Sequence, residues 1–291
     1  MLTCRNMPKT NIYEQHWQSA AAQARGKGYK IVELGWEQHV IIDESAGIVY
    51  RYPRHDAAAA KLSDEIKLLA DVHLRQWPVK LPVMLECNEV FASYKYIPGE
   101  VLDEKTISSL SVEDFEQLGR QLGEFLALFH QLDCKIVERK QTSHSISLLE
   151  YYSERILNSS LTDSQKKASS ALSELIKRSE QISQVVVHGD LHGLNIVIDP
   201  QTKMLVGVID LSEMEIGDPH QDFRKLFMAD RRLLAPAARA YQQKSGQHIN
   251  EELSKLWAYV NEWANLCHFA EEPENPTYQR ALQHLRMWNK L

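Results

Sequence analysis

A carboxylate, an amide and a second carboxylate follow one another within one stretch of this 291-residue chain. Asp190 closes the run Val185-Val186-Val187-His188-Gly189-Asp190, Asn195 comes after Leu191-His192-Gly193-Leu194, and Asp210 ends Val206-Gly207-Val208-Ile209. These side-chain types suit phosphoryl transfer, a reaction that asks little covalent work of a protein and much placement of charge. One carboxylate must orient the attacking hydroxyl and take its proton, while an amide and another carboxylate hold magnesium against the phosphate oxygens. Taken singly, each residue has a commoner role: Asp190 as a turn residue, Asn195 as a cap, Asp210 as a strand-end acid. Their joint occurrence carries the reading.

The elements that must position them are legible around them. Three valines make a short strand before His188, Ile196-Val197-Ile198 makes another, Asp199 to Lys203 reads as a turn, and Met204 to Ile209 reads as a returning strand. The expectation is that Asn195 and Asp210 sit at opposite ends of one small hairpin. A zinc site is the rival, because His188 and His192 stand four apart as they do on a zinc-binding helix. That pattern needs a helix, which the valine run, Gly189 and Gly193 oppose.

Protein kinases carry the same offsets in H-R-D-L-x-x-x-N followed by D-F-G. More closely, the chain resembles the aminoglycoside phosphotransferase family, a branch of the eukaryotic-like kinase fold that also holds macrolide, choline, homoserine and fructosamine kinases. The resemblance rests on His188-Gly189-Asp190-Leu191-His192-Gly193-Leu194-Asn195, then Ile209-Asp210, then Gly217-Asp218-Pro219 with Gln221-Asp222-Phe223. It implies an α+β, protein-kinase-like bilobal fold. Residues 1–97 would form a small antiparallel-sheet lobe for the nucleotide, with a hinge near 94–100, and residues 98–291 a larger, mainly helical lobe for catalysis and the acceptor.

The resemblance also implies roles. Asp190 would be the catalytic base, Asn195 and Asp210 the magnesium ligands, and ATP or GTP the co-substrate. A basic residue on the third strand should pair with a glutamate on the next helix and grip phosphates; Arg51 and Glu65 fill those places, with arginine where lysine is usual. The phosphate-covering loop would be Leu34 to His39, where Gly35 is the one glycine. Tyr94 and Tyr96 lie in the hinge that would offer backbone groups to the purine. Glu213 and Glu215 follow Asp210 where the acceptor would bind, and the acids between Glu251 and Glu274 would suit a polycation. The expected acceptor is a hydroxyl on an antibiotic, an aminoglycoside or a macrolide. A metabolite kinase acting on choline or homoserine and a catalytically weak kinase-like binding protein are the alternatives.

The whole-chain numbers bound the rest. A formal charge of -6 and a pI near 6.1 argue against nucleic acid as the main partner. Cys4, Cys87, Cys134 and Cys267 are widely spaced and suggest neither a disulfide framework nor a zinc knuckle. No stretch approaches the ~18 apolar residues of a membrane span, so a cytoplasmic protein that does not engage a membrane is expected. Strands are predicted at 29–34, 39–42, 47–52, 83–85, 90–92 and 94–97, with a helix at 57–73. Beyond Ser111, helices are predicted at 111–132, 146–156, 165–181, 222–235 and 251–270.

Overall fold

The computed structural model describes residues 10–32, 37–139, 148–160 and 162–290. The chain divides into two compact units, the first reaching Leu102 and taking in Leu194–Met214, the second comprising most of the remainder.

In the first unit a helix α1 (Thr10–Lys27) precedes strands β1 (Lys30–Val32), β2 (Gln38–Asp43) and β3 (Ile48–Pro53). Helix α2 (Asp56–Val72) follows, and then β4 (Met84–Cys87) and β5 (Ala92–Lys95). The five strands form an antiparallel sheet in the order β1-β2-β3-β5-β4. Strand alternation decides what β3 does. Tyr50 and Tyr52 pack with Trp17, Ala21, Ala24 and Ile41 beneath α1, which turns the intervening Arg51 to the opposite face. A second sheet joins β6 (Glu100–Val101) to the hairpin of β8 (Ile196–Ile198) and β9 (Leu205–Val208). Val101 pairs with Val197, so the hairpin is built into the unit that carries Arg51.

The second unit holds α3 (Glu104–Ser108), α4 (Val112–Phe129), α5 (Leu148–Leu157) and α6 (Thr162–Ser179). There β7 (Val185–Val187) pairs antiparallel with β10 (Glu215–Gly217), and α7 (His220–Ala229), α8 (Leu234–Ser245), α9 (Glu251–His268) and α10 (Pro276–Met287) complete it. Helix α4 starts on a full capping box between Ser111 and Asp114. It approaches α8 so closely that a Cβ on Gly123 would lie 2.1 Å from the Ala237 carbonyl oxygen. Tyr152, Leu172, Trp257 and Trp263 are buried in one core shared by α5, α6, α9 and α10. Trp257 and Trp263 are therefore core residues first, and no helix among the described residues is long and apolar enough to cross a membrane.

Three expectations change. Val90 and Phe91 are not strand, because the Asn88 side chain accepts from both of their N–H groups and ties a turn. The helix expected over 222–235 breaks at Asp230, whose extended backbone and side chain cap the following turn at Arg232. Helices α1, α3, α8 and α10 were not anticipated; α1 and α10 carry many polar residues, α3 is only five residues long, and α8 starts after the Arg231–Leu233 turn that follows the Asp230 break.

Candidate active site

In the first unit, the face of the sheet behind α1's cluster presents Arg51 to α2. Its Nη1 donates to both Glu65 oxygens at 2.9 and 2.7 Å, its Nη2 donates to Asp210 Oδ1 at 2.9 Å, and its Nε donates to Gln38. Glu65 is fully buried and also accepts from the Leu211 backbone N–H at 3.1 Å. Burial pushes the Glu65 carboxyl above its ordinary range against the pull of Arg51. Burial alone would lower the Arg51 guanidinium, but Asp210 and Glu65 outweigh it and hold the charge. The strand-to-helix pairing expected of Arg51 and Glu65 is present, and the guanidinium reaches Asp210 as well. Lysine is a point charge without the planar fork by which Arg51 engages Glu65, Asp210 and Gln38 from separate nitrogens.

The hairpin expectation is corrected in space. Ile196 pairs with Val208, and the Ile209 N–H donates to the Asn195 carbonyl at 3.0 Å. Asn195 and Asp210 flank the hairpin in sequence, yet antiparallel pairing sets them at its same, open end. Asp210 adopts a positive φ of 61°, a backbone state that aspartate tolerates better than most residues. Its Oδ1 also accepts from Ser212 Oγ at 2.8 Å. The donor chemistry would suit magnesium: an amide and a carboxylate come from one hairpin end, and hard oxygen ligands of this kind are what the ion takes. No group of three or more His, Cys, Asp or Glu able to hold a metal by itself occurs among the described residues.

Other expected nucleotide residues fall as follows. Gly35 lies outside the described residues. Tyr94 is buried with its ring under Arg51, 5.6 Å from the guanidinium carbon, and burial drives its hydroxyl far up. The Lys95 and Tyr96 N–H groups donate to Val83 and Gly47 carbonyls at 2.8 Å each, so these hinge donors are already engaged. Glu213 belongs to the same unit, where Lys61 Nζ bridges it and Glu37 at 2.6 Å each. Glu215 sits half-buried on β10 opposite Val187, in the second unit. The two acids expected to act together on an acceptor are thus assigned to different units.

In the second unit, Asp190 follows a loop gripped from behind. Asp222 on α7 accepts the His188 and Gly189 N–H groups at 2.9 and 3.0 Å and meets His130 Nε2 at 3.0 Å. Gly189 takes a φ of 80°, which a residue bearing a Cβ adopts only with strain. Lys225, one turn beyond Asp222, donates to Asp190 Oδ1 at 2.7 Å, and His192 Nε2 lies 3.3 Å from Oδ2. Burial raises the Asp190 carboxyl, but the Lys225 ammonium and the His192 bond overcome it and hold the pKa well below the usual range. Asp190 is therefore held in its carboxylate form. His188 is buried and its Nδ1 accepts the Asp190 N–H at 3.3 Å, a loop-shaping role.

Sequence reasoning missed Lys225 and Lys61. Both are lysines on helices, where the default reading is a solvated face, and their partners are remote in sequence. Of the C-terminal acids, Glu262 is fully buried and engaged by Asn265 and His284, and Glu252 is paired with Lys255.

An aminoglycoside 3'-phosphotransferase of Streptomyces ribosidificus is 28% identical over 99 residues, which is 32% of this chain and 38% of that relative's length. The GDP and kanamycin complex of APH(2") type IIIa superposes with a TM-score of 0.73 at 16% identity, covering 89% of this chain and 92% of the other. A macrolide 2'-phosphotransferase type I follows with a TM-score of 0.68 at 18% identity, covering 92% and 96%. These likenesses establish the protein-kinase-like α+β fold, with an antiparallel sheet in the N-terminal lobe and a mostly helical C-terminal part. The model of one family, described as the phosphotransferase enzyme family, matches residues 28–257. That span holds Arg51, Glu65, Asp190, Asn195, Asp210 and Lys225, and the chain belongs to this family.

Proposed function

We propose that the protein is a magnesium-dependent O-phosphotransferase that moves the terminal phosphoryl group of ATP or GTP to a hydroxyl of a small molecule. The observation that carries this reading is the Arg51 fork, which joins Glu65 of α2 to Asp210 at the hairpin end beside Asn195. In this reading Asp190 accepts the proton of the acceptor hydroxyl as its oxygen attacks the terminal phosphorus. The bond to the bridging oxygen breaks, and the nucleoside diphosphate leaves. Asn195 and Asp210 would hold magnesium, which supplies positive charge to the phosphate oxygens when bound. Arg51, fixed by Glu65, steadies the nucleotide phosphates. Residues 1–97 would serve the nucleotide and residues 98–291 the acceptor, in the cytoplasm where nucleoside triphosphates are available.

The acceptor that the relatives support is an antibiotic. One is by name an aminoglycoside phosphotransferase, a neighbouring structure holds GDP and kanamycin, another holds ADP, and a third is a macrolide phosphotransferase. A metabolite acceptor is the second reading, favoured by Lys225: a cation beside the base opposes a polycationic acceptor.

Thermal stabilisation by ATP and by GTP, each with and without magnesium, tests the nucleotide half. A magnesium-dependent rise in Tm is expected, and no rise with either nucleotide at millimolar concentration rejects the reading. Nucleoside diphosphate release measured across aminoglycosides, macrolides and amino alcohols then identifies the acceptor.

A further inference from the structure

Helix α2 grips the segment after Asp210 at two points one turn apart. Glu65 accepts the Leu211 N–H at 3.1 Å, and Lys61, four residues earlier and so on the same helix face, donates to Glu213 Oε1 at 2.6 Å. The same ammonium donates to Glu37 Oε1 at 2.6 Å, so the two carboxylate oxygens stand no further apart than twice that distance. Glu37, Arg51, Lys61, Glu65, Asp210 and Glu213 all belong to the first unit.

The bridge joins the two segments that Arg51 also joins. Glu37 directly precedes β2; its carbonyl accepts the Arg54 N–H at 2.8 Å, and the next side chain, Gln38, accepts from Arg51 Nε. Glu213 stands three residues beyond Asp210, whose Oδ1 accepts from Arg51 Nη2 at 2.9 Å. Arg51 therefore ties Gln38 to Asp210, and Lys61 ties their neighbours Glu37 and Glu213. Two cations cross-link the start of β2 to the end of the hairpin.

The charges explain why the second tie must be a cation. Two carboxylates held this close repel each other, so without the ammonium the two segments are pushed apart. Burial would lower the Lys61 ammonium, but its bonds to Glu213 and Glu37 outweigh that and keep it charged. The three side chains are 22–33% exposed, and part-exposed ion pairs add little to stability by themselves. Their consequence lies in the geometry of what they join.

We propose that Lys61 is a positioning residue for the nucleotide phosphates: by tying Glu37 to Glu213 it holds the start of β2 and the segment after Asp210 where Arg51 meets Asp210, and it makes Glu213 part of the nucleotide side of the site. This rests on the phosphotransferase reading and adds to it that Glu213 serves the nucleotide, not the acceptor.

The test is calorimetric titration of ADP and of GDP into the full-length protein at fixed, saturating magnesium chloride. In Lys61→Met the Kd of whichever nucleotide binds wild type is expected to rise at least about fivefold, the lower end of coupling between linked sites. Lys61→Arg, which keeps a cation able to reach both acids, should return it to within about twofold of wild type. Glu213→Gln keeps the shape of the side chain and removes the charge, and its Kd should rise as well. The double variant Lys61→Met/Glu213→Gln should bind no more weakly than Lys61→Met, because both changes cut one link. A merely structural ion pair would lower Tm and leave Kd alone, and an acceptor-side Glu213 would leave the nucleotide Kd of Glu213→Gln unchanged. A wild-type Kd in Lys61→Met overturns the proposal; where that variant does not fold, a wild-type Kd in Glu213→Gln does so. Wild-type protein that binds neither nucleotide strikes the phosphotransferase reading itself, so the two failures are told apart.

Discussion

Lys225 Nζ stands 2.7 Å from Asp190 Oδ1, and it comes from a helix that also grips the backbone just before Asp190 through Asp222. One turn of α7 thus fixes both where Asp190, the proposed base, lies and that it is charged. Removing the cation in Lys225→Met should release a charge-assisted hydrogen bond worth roughly 1.5–3 kcal/mol. If only part of that reaches the transition state, kcat falls about tenfold, at about 1.4 kcal/mol per decade. The KM for nucleotide should stay within about twofold, since no phosphate contact is assigned to this residue. The Asp190 pKa is depressed, so losing the cation raises it, and the acid limb of kcat against pH moves to higher pH; His192, still 3.3 Å away, limits the displacement. Lys225→Arg should restore most of the rate. An acid limb that does not move in Lys225→Met contradicts the positioning role.

Arg51 poses a different problem, because its main partner has no water to fall back on. In Arg51→Ala the fully buried Glu65 loses both hydrogen bonds to the guanidinium. Breaking one side of a buried ion pair costs about 3–5 kcal/mol, and a fall in Tm should show it. Adding Glu65→Ala in the same molecule should recover part of that loss, because the stranded charge is then gone. Arg51→Lys keeps a charge but not the fork, so stability should fall less while nucleotide affinity still drops. A double variant no more stable than Arg51→Ala would mean the pair is not the reason for the loss.

Asp222 links stability to pH. It is fully buried; burial opposes its ionisation, but the bonds from His130 and the His188 N–H prevail and depress its pKa. A carboxyl with a depressed folded-state pKa stabilises the fold above its unfolded pKa, near about 3.9, and loses that contribution as pH falls through the lower folded value. Asp222→Asn should lower Tm at neutral pH and flatten the fall of Tm in acid. A variant whose acid profile parallels that of the wild type would show that other carboxylates set the acid limit.

The candidate site was legible where chemistry restricts residue types. Two carboxylates and an amide at fixed offsets leave few alternatives, and the family resemblance asks for a third-strand cation facing a helical glutamate. Arg51 and Glu65 accordingly meet at 2.7 Å. What stayed hidden depends on tertiary approach. Lys61 and Lys225 look like solvated helix lysines until a fold brings Glu213 and Asp190 to them. The hairpin's geometry was misjudged because sequence order separates Asn195 from Asp210, whereas antiparallel pairing rejoins them. Helix α1 escaped because its apolar face is narrow, and only the sheet it covers gives Trp17 and Ala21 a reason to be buried. The break at Asp230 carried a signal after all, an aspartate in a capping position, but no glycine or proline to announce it.

The division of labour between the two aspartates can be read from one pair of variants. Asp190 contacts Lys225 and His192, whereas Asp210 is tied to Arg51 and Ser212 at the hairpin end. Asp190→Asn keeps the shape and one acceptor oxygen but cannot take a proton. Turnover should fall by about 10²–10⁴, with magnesium-nucleotide stabilisation unchanged. Asp210→Asn keeps the bond from Arg51 but removes the charge a divalent cation needs. Stabilisation by nucleotide should then lose its dependence on magnesium, and raising magnesium should recover part of the rate in Asp210→Asn but none in Asp190→Asn. The contrast is sharper than either variant alone, since a general loss of folding would depress both readouts together. Recovery of Asp190→Asn by magnesium, or an unaltered magnesium requirement in Asp210→Asn, would reverse the roles given to the two carboxylates.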